Sequence, residues 1–126
     1  RLAEQYLIRA EAYAMKKDYT KAGKDISTLR SARYSSYGGN TSLSESNALS
    51  VIESERVKEL YMEGFRLNDL KRWHKGFARK VSDQPAANFV QSSLKVEKDD
   101  PLFVWPIPQH ELEAPGSEIE PNESNK

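Results

Sequence analysis

The sequence lacks cysteine, long apolar runs and net charge. With no cysteine among its 126 residues, the chain has neither a disulfide framework nor a thiolate metal site. Its longest apolar runs, such as residues 102–105, have four residues, whereas a membrane-spanning helix needs roughly 20. Because 19 acidic side chains balance 19 basic ones, the composition gives no reason to expect nucleic-acid binding. The length is that of a single domain.

Proline is also absent from the first two-thirds of the chain, since all six prolines lie from Pro85 onwards. Proline interrupts helices, so this distribution predicts helices in residues 1–84 and an irregular tail in residues 85–126. Charge divides at the same place: 16 basic and 11 acidic side chains precede Pro85, and 3 basic and 8 acidic ones follow. We therefore expect a mainly α fold in which antiparallel helix pairs are covered by an irregular, proline-rich C-terminal tail packed across them.

Residues 1–34 show the spacing of one antiparallel helix pair. Apolar residues recur at steps of three and four, which places them on one helix face. The predicted inner stripe of the first helix is Leu2, Tyr6, Ala10, Tyr13 and Ala14, and that of the second is Tyr19, Ala22, Ile26 and Leu29. Asp18 lies in the short break between them and is expected to cap the second helix. A turn of this length joins antiparallel helices.

Residues 48–84 predict a second helix pair, with a cap at Asn47 or a nearby serine. The predicted inner stripes are Leu49, Ile52, Arg56 and Leu60, followed by Arg66, Leu70, Trp73 and Phe77. The last helix has a candidate end at Lys75-Gly76, although Phe77 and Val81 could extend its pattern. Both stripes contain an arginine, and a buried guanidinium is costly unless carboxylates meet it. We therefore expect Arg56 and Arg66 to form structural ion pairs with the carboxylates available in the same segment, which are Glu55, Glu59, Glu63 and Asp69.

The tail, residues 85–126, contains an apolar segment bounded by proline at residues 101–108. Prolines 106 and 108 exclude it from the middle of a sheet, because they remove ladder donors. We expect it to lie extended across the helices, with Phe103 and Trp105 as buried aromatic anchors alongside Trp73 in the helical part. Residues 109–113 are expected to form one helical turn.

Few residues suggest a chemical site. Tyr34 and Tyr37 lie in a loop rich in serine and glycine at residues 34–47, and they are weak candidates for ligand binding. His74 and His110 lack metal-ligand spacing, and Asp99-Asp100 lacks the pattern of a calcium loop. No catalytic constellation stands out, so we expect no catalytic residue, no metal and no cofactor. A basic cluster at residues 71–80 is expected to be a solvated helix face or a contact for an acidic partner.

Two motif sets carry resemblances to known families. Tyr6, Ala10, Tyr13, Tyr19, Ala22, Ile26 and Leu29 match the spacing of one tetratricopeptide repeat. Residues 1–13 resemble the tetratricopeptide-like segment of SusD/RagB-family lipoproteins. Residues 52–73 resemble that family's Glu-Arg…Glu-Leu…Glu-Gly-x-Arg…Asp-Leu-x-Arg-Trp motif, and residues 105–111 match its Trp-Pro-Ile-Pro-x-x-Glu motif. The chain departs from the family at its end, where residues 119–126 replace Gln-Asn-Pro-Gly-Tyr.

The resemblance implies that residues 1–126 are the C-terminal portion of a longer SusD/RagB-like protein. Such proteins are lipid-anchored at the outer-membrane surface, capture glycans or other nutrients, and pass them to a SusC-like TonB-dependent transporter. They are binding proteins and not enzymes. Their membrane attachment is through a lipidated cysteine, here expected upstream, and most of their ligand-contacting residues are expected upstream too. The alternative is a stand-alone tetratricopeptide-type module for protein–protein interaction, which predicts several tandem repeats.

Overall fold

The computed structural model describes residues 1–79 and 95–125. They fall into two compact units, one ending at Phe65 and the other starting at Arg66. The fold is mainly helical, as predicted. The helices are α1 (Leu2–Met15), α2 (Tyr19–Arg33), α3 (Ala48–Glu59), α4 (Phe65–Arg72) and α5 (Gln109–Leu112). The strands are β1 (Phe77–Ala78) and β2 (Lys95–Val96), and two 3-10 turns cover Pro101–Phe103 and Glu123–Asn125. In the described residues, no helix is long and apolar enough to cross a membrane.

Helices α1 and α2 form the predicted hairpin. The turn between them passes through Lys17, whose φ of 61° is left-handed. Asp18 caps α2 as predicted, because its carboxylate accepts a hydrogen bond from the Lys21 backbone N–H at 3.2 Å. Asn47 occupies the N-cap position of α3, but its side chain accepts from the Ser44 N–H instead and so orders the preceding loop.

Helix α3 packs against both α1 and α2, so the first unit has a three-helix core. Each of these three helices contributes one of the largest fully buried side chains, which are Leu7, Ile26 and Ile52. Ala10 and Ala22 are also fully buried, and such small side chains let helix backbones approach closely. The predicted inner stripe of α2 is confirmed, with Ala22, Ile26 and Leu29 buried and Tyr19 partly buried against the core.

The predicted stripes of α1 and α3 need correction. Leu2 is 73% exposed, whereas Leu7, which was not on the predicted stripe, is fully buried. Helix α1 carries apolar residues on more than one face, so a stripe with steps of three and four residues can begin at Leu2 or at Ala3. The stripe that packs against the core is the one that begins at Ala3. In α3, Leu49 is 42% exposed, and its neighbour Ala48 is buried instead.

In the second unit, α4 is shorter than predicted. It ends at Arg72, and His74 turns the chain with a left-handed φ of 52°. Phe77 therefore lies in strand β1, which pairs antiparallel with β2, and the prediction that it continues the helix is wrong. Gly76 fits this path because a Cβ there would overlap the Val96 carbonyl oxygen. The remainder of the predicted pair, residues 80–84, lies outside the described residues, and the pairing of α3 with α4 stays a prediction.

The described part of the tail contains short elements joined by extended chain. Asp100 caps the 3-10 turn by accepting from the Leu102 N–H at 2.9 Å, and α5 confirms the predicted single helical turn. The Asn125 amide pairs with both backbone groups of Ile107, accepting from its N–H at 3.0 Å and donating to its carbonyl at 2.9 Å. Asn122 donates to the Trp105 carbonyl at 2.9 Å. The packing of this tail across the helices stays a prediction.

The predicted aromatic anchors differ in burial. Phe103 is 6% exposed and contacts Phe77 edge-on, with ring centroids 6.4 Å apart. Trp73 is half-buried. Trp105 is 83% exposed, so the described residues do not bury it and the expectation that it is a buried anchor is corrected. The physical reason is that the hydrogen bond from Asn122 holds the backbone of Trp105, whereas no apolar neighbour covers its ring in the described part of the chain.

Candidate functional site

Among the acidic residues predicted to form structural ion pairs, Glu59 and Glu63 contact arginines that the sequence did not single out. Arg33 of α2 grips Glu59 through two hydrogen bonds, from Nε at 2.8 Å and from Nη2 at 2.6 Å. Glu63 pairs with Arg1. These contacts join α3, and the turn after it, to α1 and α2. Glu59 was expected to pair with Arg56 or Arg66 of its own segment. It pairs with Arg33 instead, because the packing of α3 against α2 brings that side chain close.

The two remaining predicted arginines differ in exposure. Arg56 is 5% exposed within α3, as a structural role requires, whereas Arg66 is exposed. Asp69 is 5% exposed and accepts a hydrogen bond from Arg72 Nε at 2.9 Å within α4. Arg72 also stacks over the Trp73 ring, with its Cζ 4.3 Å from the ring centroid. The part of the basic cluster that the structure describes is therefore partly engaged in local contacts.

Arginine side chains hold two carboxylates of the first unit, those of Glu59 and Asp25. The hydrogen bonds from Arg33 hold the pKa of Glu59 below its ordinary value. Arg9 donates to both oxygens of Asp25 at 2.7 and 2.8 Å, and this pairing raises the pKa of Arg9. A carboxylate held by a guanidinium in two bonds is poorly placed to transfer protons, because both oxygens are already occupied. These groups support structure and do not form an acid–base pair.

Tyr37 holds the loop between α2 and α3 in place. Its hydroxyl hydrogen-bonds the Thr41 hydroxyl at 2.7 Å and the Ser27 hydroxyl at 3.3 Å. These bonds lower the pKa of Tyr37, with Ser27 contributing more than Thr41. Tyr34 is 44% exposed. Of the two candidate tyrosines, Tyr37 therefore has its polar end committed inside the protein, and only Tyr34 offers an exposed ring.

The same loop folds back along α2. Thr41 donates its N–H to the Ser27 hydroxyl at 2.7 Å, and Arg30 Nη1 donates to the Thr41 hydroxyl at 3.2 Å. The Thr41 carbonyl lies directly on Gly23, where any Cβ would overlap it. Only glycine permits this approach, which explains a residue of low helix propensity in the middle of α2. The loop is thus seated on the helix by backbone contact as well as by hydroxyl bonds.

A cleft of about 580 Å³ opens between α2 and this loop, and we call it the α2–loop cleft. Its helix wall presents Tyr19, Thr20, Lys24, Ser27, Thr28 and Ser31. Its loop wall presents Asn40, Thr41, Ser42 and Leu43, with Gly39 at the edge. The lining is dominated by hydroxyl and amide groups, carries one ammonium group and contains no carboxylate. The sequence indicated the loop through its tyrosines, but it did not indicate the helix wall, because most of the side chains in that wall lie on the exposed face of α2.

The described residues offer little to a metal ion. In residues 1–79 and 95–125, no three or more histidine, aspartate or glutamate side chains are grouped to hold one. His74 and Asp99 are 2.7 Å apart through Nδ1 and Oδ1, but both side chains are largely exposed. The hydroxyl, amide and ammonium groups that line the α2–loop cleft can donate and accept hydrogen bonds.

Comparison with known proteins identifies the family of the chain. No curated protein and no solved structure matched it. A family model, described as the SusD family, matches residues 1–120, which include all three motifs noted in the sequence and both structural units up to the last few residues. On that match, the chain belongs to the SusD family.

Proposed function

We propose that this protein captures a nutrient, with a glycan as the expected ligand, as the surface lipoprotein of a TonB-dependent outer-membrane uptake complex. The single observation that carries the proposal is the SusD-family match over residues 1–120. The family suggests a binding role at the cell surface and no catalysis. Localisation at the outer membrane, with attachment through a lipidated cysteine upstream of this chain, is part of the same proposal.

The first unit supports a scaffold role for the helices. Its core is small but closely packed, and ion pairs between helices, such as Arg33 with Glu59, fix their relative positions. A rigid helical surface of this kind suits contact with a SusC-like transporter, which would supply the energy for uptake. The protein itself needs only to bind the ligand and release it to that partner.

A direct test asks whether the full-length protein forms a complex with a SusC-like transporter. We expect the two to co-purify from outer-membrane extracts. We also expect deletion of this protein to abolish growth on the glycan that a glycan array identifies. Absence of co-purification would contradict the transporter assignment. Binding of peptides and no glycan would contradict the ligand class while leaving uptake intact.

The alternative, a tetratricopeptide-type interaction module, has one observation in its favour. A groove of about 470 Å³ on the outer side of α1 is lined by Leu2, Gln5, Tyr6, Ile8 and Arg9. Leu2 and Ile8 are exposed apolar residues of the kind that dock a peptide or helix. A stable peptide complex that forms without the transporter, and that Ile8→Asp abolishes, would favour this alternative.

A further inference from the structure

The α2–loop cleft has walls that are held in place before any ligand binds. Its loop wall is fixed at Thr41 by bonds to Ser27, Tyr37 and Arg30, and by the contact of its carbonyl with Gly23. A pre-formed site spends less binding free energy on ordering its own groups. Its volume of about 580 Å³ also lies within the usual range for small-molecule sites, roughly 300–1,000 Å³.

The groups that face the cleft are suited to a ligand rich in hydroxyls. Thr28 and Ser31 donate their hydroxyl protons to backbone carbonyls one turn earlier, at 2.9 and 2.8 Å, so their oxygens remain able to accept from a ligand. Asn40 and Ser42 are exposed on the loop wall, and neither side chain forms a hydrogen bond in the described part of the chain. Donors and acceptors are thus mixed along both walls.

The charges that line the cleft argue against a cation and against a polyanion as its ligand. The lining has no carboxylate to attract a cation. Its one ammonium group, on Lys24, is a poor basis for holding a polyanion, which proteins usually bind through several cations. Tyr19 at one end offers part of a ring, on which the C–H face of a sugar packs, and Leu43 adds a small apolar area. An uncharged saccharide satisfies all of these groups together.

We infer that the α2–loop cleft binds a short segment of an uncharged oligosaccharide. Hydrogen bonds from the ligand reach Asn40 and Ser42 on the loop wall and the hydroxyls of α2 on the other. This inference rests on the proposed function and adds to it a ligand site within the helical part of the protein, with an uncharged glycan as its occupant.

The test uses the full-length protein and isothermal calorimetry with a panel of neutral oligosaccharides built from glucose, xylose, mannose or galactose. The variant Asn40→Ala/Ser42→Ala removes two polar groups of the cleft that hold no part of the loop. Because a hydrogen bond is worth about 1 kcal/mol, we expect its loss of affinity to be about tenfold or more for the saccharide that the parent binds. The matched control is Asn68→Ala/Ser54→Ala, two exposed side chains outside the cleft, which should bind like the parent.

Hydrogen–deuterium exchange on the unaltered protein provides a second readout that needs no variant. The bound saccharide should slow exchange in peptides covering residues 19–31 and 37–45. If the parent binds a saccharide but the cleft variant matches it and protection appears only elsewhere, the inference is overturned while the proposed function stands. If the parent binds no saccharide of the panel, both the inference and the glycan assignment fail.

Discussion

The two units of this chain are stabilised in different ways. The first, residues 1–65, buries aliphatic side chains from three helices, among them Leu7, Ile26 and Ile52, and joins those helices by arginine–carboxylate pairs. The described residues of the second bury fewer aliphatic side chains, among them Leu70, and their contacts include an edge-on pair of phenylalanine rings, a two-residue strand pair and asparagine side chains that bond the backbone. The first unit therefore depends on apolar residues that recur with helical spacing, whereas the second depends more on contacts of individual side chains.

The largest expected effect is on the core of the first unit. Leu7→Ala should lower the free energy of unfolding of the 126-residue chain by about 2–5 kcal/mol, because a fully buried leucine leaves a cavity when it is truncated. The control is Leu2→Ala, five residues earlier in the same helix, which should change that free energy by no more than about 0.5 kcal/mol. Urea denaturation followed by circular dichroism measures both. Equal losses would mean that the helix face is wrongly assigned.

The next largest effect is expected where the loop of residues 34–47 contacts α2. Gly23→Ala should destabilise the chain by about 1–2 kcal/mol, although alanine is the better helix former, because its Cβ would push against the Thr41 carbonyl. Gly39→Ala, where a Cβ meets nothing within 4 Å, is the matched control. Thermal unfolding measures stability, and limited proteolysis within residues 34–47 reports release of the loop. A stabilised Gly23→Ala protein would show that the loop is not seated on the helix.

A smaller effect should appear as pH falls. Arg33 depresses the pKa of Glu59 in the folded state, so the pair stabilises the protein above the ordinary pKa of 4.5. That contribution is lost as the pH drops through the lower, folded-state pKa. Glu59→Gln should therefore weaken the protein at pH 7 and differ from the parent progressively less towards pH 2. Melting temperatures across this range test the sign, and a constant difference at all pH values would refute the assignment.

The smallest effect is expected in the second unit and should remain local. Asn125→Ala removes both bonds to Ile107, so the Ile107 amide should exchange with solvent about fivefold faster. Asn125→Asp keeps the acceptor for the Ile107 N–H and should retain most of the protection. Amide exchange measured by NMR resolves this one position. If Asn125→Ala instead lowered global stability as far as Leu7→Ala, the contrast between the two units would disappear.

The sequence was informative where one face of a helix was unambiguous. Helix α2 has few apolar residues, and Ala22, Ile26 and Leu29 recur at steps of four and three, so its inner stripe was predicted correctly, as was the Asp18 cap. In helix α1 the predicted Ala10 and Ala14 are buried, but the first turns were misread because apolar side chains occupy more than one face there: Leu2 is exposed and Leu7 is buried. Phe77 continued the helical spacing of α4, but the left-handed turn at His74 ended the helix first.

The candidate site was only partly accessible from sequence. The loop was visible through Tyr34 and Tyr37, since its composition is that of an exposed segment. The helix wall of the cleft was not, because threonine, serine and lysine on an outer helix face look like any solvated surface. The partners of Glu59 and Glu63 were also hidden, because Arg33 and Arg1 lie 26 and 62 residues away in the chain.

The contacts of Arg30 limit how short a peptide that reproduces the α2–loop cleft can be. This side chain bonds the Glu55 carboxylate of α3 at 2.8 Å and also reaches the Thr41 hydroxyl in the loop. A synthetic peptide of residues 19–43 would contain every group that lines the cleft, yet it would leave that guanidinium without its counter-ion. Anyone transplanting the cleft onto another scaffold should therefore carry the third helix with it.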